Sequence, residues 1–418
     1  MDVKIVQVGK SGFPVVPAAP IERIRLYGKG MVAQGEPVLV LNRKGVLTAS
    51  QKKDEVPPSG VNDGIYYHFV SDSVFRPSSF LRRNIKKIQG LFKEMGFLRK
   101  AKKAKATGYL IVHSMGFGNM LLYRMVASVL NYKFIYQIVE WNAALTSRKK
   151  LKNRISDFFF ERIGLRLADA YLPISHFLAD TLKERYPDKP QLYVPIICDF
   201  SRFEGISIAK KEEYFLYCGS LSYAEVVHFI MEAYAKLKTE NTFLYLVLSG
   251  DREKIADIQE RAQELGIAEK IRIFSRIPYQ ELVEKYCGAK ALLIPLRPTL
   301  QDTARFPHKI GEYLASGNPI VTTNYGEITH HFQQGETAFI ADEYEVSAYA
   351  EQMQYILDQP ELAKQVGTAG KRYGLDHFDC NVHGRRMLTF FQELSGEAFE
   401  NFDENAPLQK EPALLAKP

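Results

Sequence analysis

The sequence is poor in the residues that build disulfide frameworks and metal clusters. Its 418 residues hold four cysteines, Cys198, Cys218, Cys287 and Cys380, far apart and without paired spacing. That pattern indicates neither a zinc site nor a redox pair, and a reducing cytoplasm is the expected setting. No Asp-x-Asp triplet occurs, which removes the obvious carboxylate pair for holding a divalent ion against a diphosphate. His330 and His331 are adjacent rather than at helical ligand spacing, so no metal site is expected. No apolar run approaches the roughly 18 to 20 residues of a membrane span, and residues 1–8 lack the long apolar segment of a signal peptide. Basic residues are not interleaved with aromatics in a nucleic-acid-binding pattern, so no nucleic-acid partner is expected. Glycine-rich phosphate loops are also incomplete. Lys4 stands where a P-loop ending in Gly9-Lys10-Ser11 needs glycine, and Leu121 occupies the third glycine position after Gly116 and Gly118.

What is present is a globular composition, 46% hydrophobic and 25% charged, over a length that suits two domains. Apolar strand-like segments 3–8, 38–41, 109–113 and 134–139 are interleaved with a helical pattern at 21–34. After a polar stretch at 201–213 the rhythm restarts, with strands expected at 216–218, 244–248, 271–274, 291–295 and 320–323 and helices between them. Such alternation implies α/β architecture with two doubly wound parallel sheets, and ligands then bind in a central cleft beyond the strands' carboxyl ends. The expected organisation is a domain over 1–200, a second over 201–375, a helix at the lobe junction over 376–396 and a disordered tail over 397–418.

The net charge of +7 is concentrated early: ten basic residues against one acid, Glu94, lie between Arg82 and Lys105. Leu81, Ile85, Ile88, Phe92 and Met95 recur there at helical spacing. The segment 81–105 therefore reads as a basic amphipathic helix. Its apolar stripe suits either its own domain or an anionic membrane surface.

The richest segment is Asp302-Thr303-Ala304-Arg305-Phe306-Pro307-His308-Lys309-Ile310-Gly311-Glu312-Tyr313-Leu314-Ala315-Ser316-Gly317-Asn318-Pro319. Pro307 suits the first helical turn, Gly317 a left-handed stop, and Pro319 bars continuation. The helix start offers amide donors and partial positive charge, to which Arg305 and Lys309 add full charges, an arrangement suited to a pyrophosphate. Glu312 lies on the same face as Lys309, about one 5.4 Å turn on, and its carboxylate suits the vicinal hydroxyls of a ribose. Taken alone, Lys309 and Glu312 also fit an ordinary surface pair.

The stretch from Pro307 to Val321 resembles the donor-site helix of the retaining group 1 glycosyltransferases, glycosyltransferase family 4. Tyr217-Cys218-Gly219-Ser220-Leu221 and Leu246-Val247-Leu248-Ser249-Gly250-Asp251 resemble that family's strand-glycine turns. Residues 167–175 and 194–199 fit its first lobe. The resemblance implies a GT-B fold, two Rossmann-like domains facing a cleft, with the nucleotide-sugar donor in the second domain and the acceptor in the first. It implies that Glu312 binds the donor ribose, that Arg305 and Lys309 bind the phosphates, and that Gly12, Gly219 and Gly250 let backbone approach the donor. Two positions depart from the family pattern. The second glutamate, eight residues before Glu312, is Ala304, with Asp302 or Thr303 as substitutes; a phosphate-binding Arg and Lys after the first strand-glycine read Ser220 and Val226. Glu140 falls where the family places a cleft-facing residue, beside Trp141, and His113 is an acceptor-side candidate.

The function implied is transfer of a sugar from a nucleotide diphosphate to a hydroxyl acceptor, sugar or lipid-linked, in polysaccharide or glycolipid assembly. No resident cofactor is expected. Two alternatives remain: a catalytically silent GT-B binding protein, motivated by Ala304, Ser220 and Val226, and a sugar-nucleotide epimerase on the same plan.

Overall fold

Short β-branched and aromatic runs bounded by turn residues become strands, and 3.6-period segments between them become helices. The computed structural model describes residues 3–48, 56–101, 106–114, 116–145, 151–208, 212–250, 252–399 and 402. It divides into two units, residues 1–197 with 380–418, and residues 198–379.

The first unit runs β1 (Ile5–Val8), α1 (Ala19–Val32), β2 (Val38–Asn42), β3 (Ser59–Asn62), β4 (Ile65–Phe69), α2 (Phe80–Ala101) and β5 (Gly108–Val112). It continues with α3 (Phe117–Leu130), β6 (Tyr132–Ile138), α4 (Leu151–Phe159), β7 (Ala170–Pro173) and α5 (His176–Arg185). The sheet order is β3-β4-β2-β1-β5-β6-β7, parallel except for the β3–β4 hairpin. The hairpin was not expected, although Asp63-Gly64 marks its turn, with φ of +49° and +73° as a two-residue hairpin loop requires. Right-handed crossovers running toward β7 place α2, α3 and α4 on one face of the sheet, while α1, running the other way, covers the opposite face.

The second unit runs β8 (Glu213–Ser220), α6 (Ala224–Ala235), β9 (Thr242–Ser249), α7 (Arg252–Glu264), β10 (Ile271–Phe274), α8 (Tyr279–Gly288) and β11 (Ala291–Ile294). Then come α9 (Leu300–Ala304), α10 (Lys309–Ser316), β12 (Ile320–Thr323), α11 (Ile328–His331), β13 (Phe339–Ala341), α12 (Val346–Asp358) and α13 (Pro360–Phe378). Its sheet, β10-β9-β8-β11-β12-β13, is parallel throughout. Strands such as Ala291–Ile294 are buried along their whole length, which fits near-continuous apolar runs. Both sheets have the doubly wound form expected. No helix among the described residues is long and apolar enough to cross a membrane.

The C-terminal segment differs from expectation. The second unit ends at Asp379 rather than 375, and α14 (Cys380–Ser395) belongs to the first unit, packed on α1. The tail does not fall away at 397. Glu397 accepts from the Thr107 hydroxyl at 2.6 Å, and Phe399 is buried against Tyr109. Of the remaining tail only Phe402 is described, and the expectation for residues 403–418 lies outside the described residues.

Gly30 and Gly384 let α1 and α14 touch backbone to backbone. A Cβ on Gly384 would sit 2.1 Å from the Gly30 carbonyl, and one on Gly30 would sit 2.0 Å from that of Cys380. Since backbone cannot rotate aside, Gly384→Ala is expected to destabilise the first unit by about 1–3 kcal/mol. The check is a lower melting temperature than wild type, with the second unit's transition unmoved.

Candidate functional site

The second sheet reverses its order between β8 and β11, and the crevice beyond their carboxyl ends is where a doubly wound sheet takes its ligand. The helix α10 lies beside it. It begins at Lys309, two residues later than the proline signal suggested, with the Pro307 carbonyl accepting from the Ile310 amide at 3.1 Å. It ends as expected at Gly317, in the left-handed region with φ of +81°. The Tyr313 hydroxyl accepts from the Cys218 amide at 3.0 Å, which fixes α10 against the end of β8.

Glu312 sits half-buried in the first turn of α10, and Tyr279, at the start of α8, donates to its Oε1 at 3.0 Å. Burial, and then the Glu312 charge, push the Tyr279 phenol up, so it stays protonated and donates. The Arg202 guanidinium lies 4.9 Å from the Tyr279 ring centre. Lys309 is half-buried, forms no ion pair among the described residues, and is near enough to Cys218 to bear on its thiol.

Asp302 does something other than expected. Its side chain is 1% exposed, and both oxygens are taken. Oδ2 accepts from the Arg297 amide at 2.9 Å and Nε at 2.8 Å; Oδ1 accepts from Arg297 at 3.0 Å and Arg305 at 2.8 Å. Burial alone would raise this carboxyl, but the Arg297 hydrogen bonds and the Arg305 charge outweigh it and hold it below its ordinary value. A carboxylate so occupied cannot also bind a sugar; Asp302 positions two arginines instead. Thr303 is half-buried, its hydroxyl donating to the Thr299 carbonyl at 3.1 Å. Arg305 lies 4.6 Å from the Tyr223 ring centre, and Arg297 5.3 Å from the same ring. Arg297 also pairs with Glu225. The two arginines thus have two carboxylates beside them, whereas Lys309 has no ion-pair partner among the described residues.

Two of the three departures from the family pattern are packed into the core. Ala304 and Val226 are buried, and Ser220 caps the turn after β8 by accepting from the Ser222 amide. Gly219 and Gly250 end adjacent strands. A Cβ on Gly219 would meet the Tyr217 ring at 2.2–2.5 Å, and Gly250, with φ of +157°, lies against Leu221. Sequence reasoning missed Arg297, Tyr279 and Tyr313. The Arg297-Pro298 turn directly after β11 was the available signal for the first.

In the first unit Gly12, His113 and Glu140 lie beyond the carboxyl ends of β1, β5 and β6, neighbours in the sheet. Gly12, with φ of +143°, donates its amide to Asn42 Oδ1 at 2.7 Å, and Asn42 in turn donates to the Phe13 carbonyl at 2.8 Å. Glu140 is half-buried, close enough to Tyr136 to bear on its phenol. Trp141 is buried under the Arg185 guanidinium, 4.7 Å from its ring centre. His113 is a correction to the acceptor-side expectation. It is buried, with Nε2 bonded to Gln7 at 2.9 Å and Nδ1 to the Gln137 amide. Both ring nitrogens tie strands together, and burial holds the imidazole at a pKa of about 4.

Residues 201–373 match the family model described as Glycosyl transferases group 1. The GDP-mannose-dependent alpha-(1-6)-phosphatidylinositol monomannoside mannosyltransferase of Mycolicibacterium smegmatis is 26% identical over 144 residues, 34% of this chain and 38% of that one. Sucrose-phosphate synthase from Thermosynechococcus elongatus superposes with a TM-score of 0.73 at 14% identity, covering 94% of this chain and 99% of that one. Anabaena Alr3699/HepE in complex with UDP and glucose superposes at 0.66 and 11% identity, over 94% and 100%. The chain spans between 23% and 58% of the length of the curated relatives it matches. The superpositions establish the GT-B fold class. The family model and the relatives show that residues 201–373 are similar to the group 1 glycosyltransferases.

Removing Asp302 leaves half-buried Arg305 without its carboxylate and Arg297 with Glu225 alone. Asp302→Ala is expected to cost about 3–5 kcal/mol in the second unit, read by chemical denaturation. For His113, the folded pKa of about 4 lies below the 6.5 of an unperturbed imidazole. Stability from this group is full above pH 6.5 and is lost as pH falls toward 4, because the unfolded chain takes up the proton first. The expected loss is on the order of 3 kcal/mol. Denaturation of wild type and His113→Gln across that window checks it, the variant showing the shallower slope.

Proposed function

We propose that the protein is a retaining glycosyltransferase of family 4 type that moves a sugar from a nucleotide diphosphate to a hydroxyl acceptor. The observation that carries this reading is the start of α10, where Lys309 and an oriented Glu312 stand one turn apart beside the β8–β11 switch point. Lys309 and the first amides of α10 bind the diphosphate, joined by Arg305, whose Nε is buried without a partner among the described residues. A phosphate oxygen would relieve that cost. Glu312, held by Tyr279, accepts from the ribose hydroxyls. Gly219 and Gly250 admit the donor close to backbone; in the first unit Gly12 is assigned to the donor and Glu140 to the acceptor.

Charge builds on the leaving diphosphate in the transition state, and fixed positive groups lower that barrier more than the ground state. Retention is proposed from the family resemblance alone, with the leaving phosphate taking the acceptor's proton. The donor is a substrate, and the reading assigns no resident cofactor and no metal ligand set. The mycobacterial relative is described as GDP-mannose-dependent and the Anabaena neighbour as holding UDP and glucose, so both bases belong in the test.

Calorimetric titration with UDP-, GDP- and ADP-sugars should find one that binds, with Glu312→Ala weakening it roughly tenfold or more. Lys309→Ala should lower turnover roughly 10- to 100-fold, the worth of one charge-assisted hydrogen bond. Absence of all nucleotide affinity would move the reading to a silent binding protein. Release of free nucleotide and an altered sugar without acceptor would move it to an epimerase.

A further inference from the structure

The helices on one face of the first sheet are apolar on the wrong side. A helix in an α/β layer needs one apolar stripe, turned inward. In α2 the inward stripe is Gly90, Glu94, Leu98 and Ala101, and the stronger stripe, Leu81, Ile85, Ile88 and Phe92, faces outward, with Phe92 71% exposed. The same occurs on α3, where Leu121, Met125 and Val129 form an outward row and Val129 is 75% exposed. It occurs again on α4, with Leu151, Ile155 and Phe158 outward and Leu151 71% exposed.

These three helices are joined to one another. Arg43 pairs with buried Glu94 of α2 at 2.6 Å and donates to Asn119 at 2.9 Å and Tyr123 at 2.6 Å, both on α3. Phe117 of α3 stacks on Phe159 of α4 with ring centres 5.7 Å apart. Three outward apolar rows on neighbouring helices are more than an isolated exposed residue and call for a cover.

Charge says what the cover is. The stretches 80–101, 117–130 and 151–164 carry eleven Lys and Arg against three acids, an excess of eight in a chain whose net charge is +7. The remaining residues are therefore close to neutral. The three acids, Glu94, Asp157 and Glu161, are buried or half-buried, so among the described residues these helices show no exposed acid. Lys102, Lys103, Lys105, Arg148, Lys149 and Lys150 flank them in sequence.

We infer that the α2–α3–α4 layer docks the protein on an anionic lipid bilayer, the apolar rows entering the headgroup boundary and the exposed Lys and Arg of α2 meeting lipid phosphates. A second copy of the chain would bring the same positive face against itself, which charge disfavours. The inference is independent of the sugar-transfer reading, since the surface needs no nucleotide to act.

The test is co-sedimentation with vesicles of neutral phosphatidylcholine and with vesicles containing phosphatidylglycerol, in 0.1 M salt. Partitioning onto anionic vesicles should exceed that onto neutral ones tenfold or more. Phe92→Glu and the pair Lys86→Glu, Lys87→Glu should each reduce it about tenfold while leaving the melting temperature unchanged, because all three side chains are exposed. Leu375→Glu, exposed on the second unit, should leave it alone. Equal partitioning onto both vesicle types, no partitioning onto either, or indifference to Phe92→Glu overturns the inference. Light scattering that finds a dimer split by Phe92→Glu, without vesicle binding, also overturns it in favour of a self-interface.

Discussion

A carboxylate taken out of water has to be answered by positive charge, and around Asp302 that requirement arranges everything beyond the end of β11. Four hydrogen bonds converge on its two oxygens, three from Arg297 and one from Arg305. The short helix α9, capped by Thr299, exists to bring the carboxylate there. Once both guanidiniums are held, Tyr223 lies against each, and Glu225 takes the outer edge of Arg297. The same physics recurs with Glu94, which is 2% exposed and holds Arg43 between α2 and α3. In both units a desolvated acid fixes where cations stand, and packing follows.

That arrangement separates two roles that the sequence ran together. Arg305 and Lys309 both look like phosphate binders when written four residues apart. In three dimensions Arg305 shares its charge with Asp302, whereas Lys309 at the start of α10 has no counter-ion among the described residues. Of these two, Lys309 is therefore the cation a diphosphate would feel more.

Most strands were legible because they are short apolar runs between turns, β3, β4, β7 and β13 excepted, and α10 because Pro307 and Gly317 bracket it. The placement of Lys309 and Glu312 in the first turn of α10 was legible because one helical turn separates them. Tyr279 and Tyr313 were not, since they reach Glu312 and Cys218 across 33 and 95 residues of chain. His113 misled because position at a strand end says nothing of what fills the space around it. Gln7 and Gln137, on the neighbouring strands β1 and β6, decide that. Periodicity also found the apolar stripe of α2, but period fixes only that residues share a face, not which way the face turns. The tertiary bond from Arg43 to Glu94 turns it outward.

The return of α14 to the first unit has a consequence for biosynthesis. The chain leaves the first unit after Ile197 and re-enters it at Cys380, and the two passages are hydrogen-bonded together where the Cys198 amide meets the Phe378 carbonyl at 2.8 Å. A ribosome therefore delivers seven strands of the first sheet long before the helix whose glycine seats against Gly30. During that interval the α1 face of the sheet lacks its partner, while the inserted unit, contiguous in sequence, has all it needs to fold. The domain begun first is finished last, and the nascent chain must shelter that uncovered face until the last helix emerges.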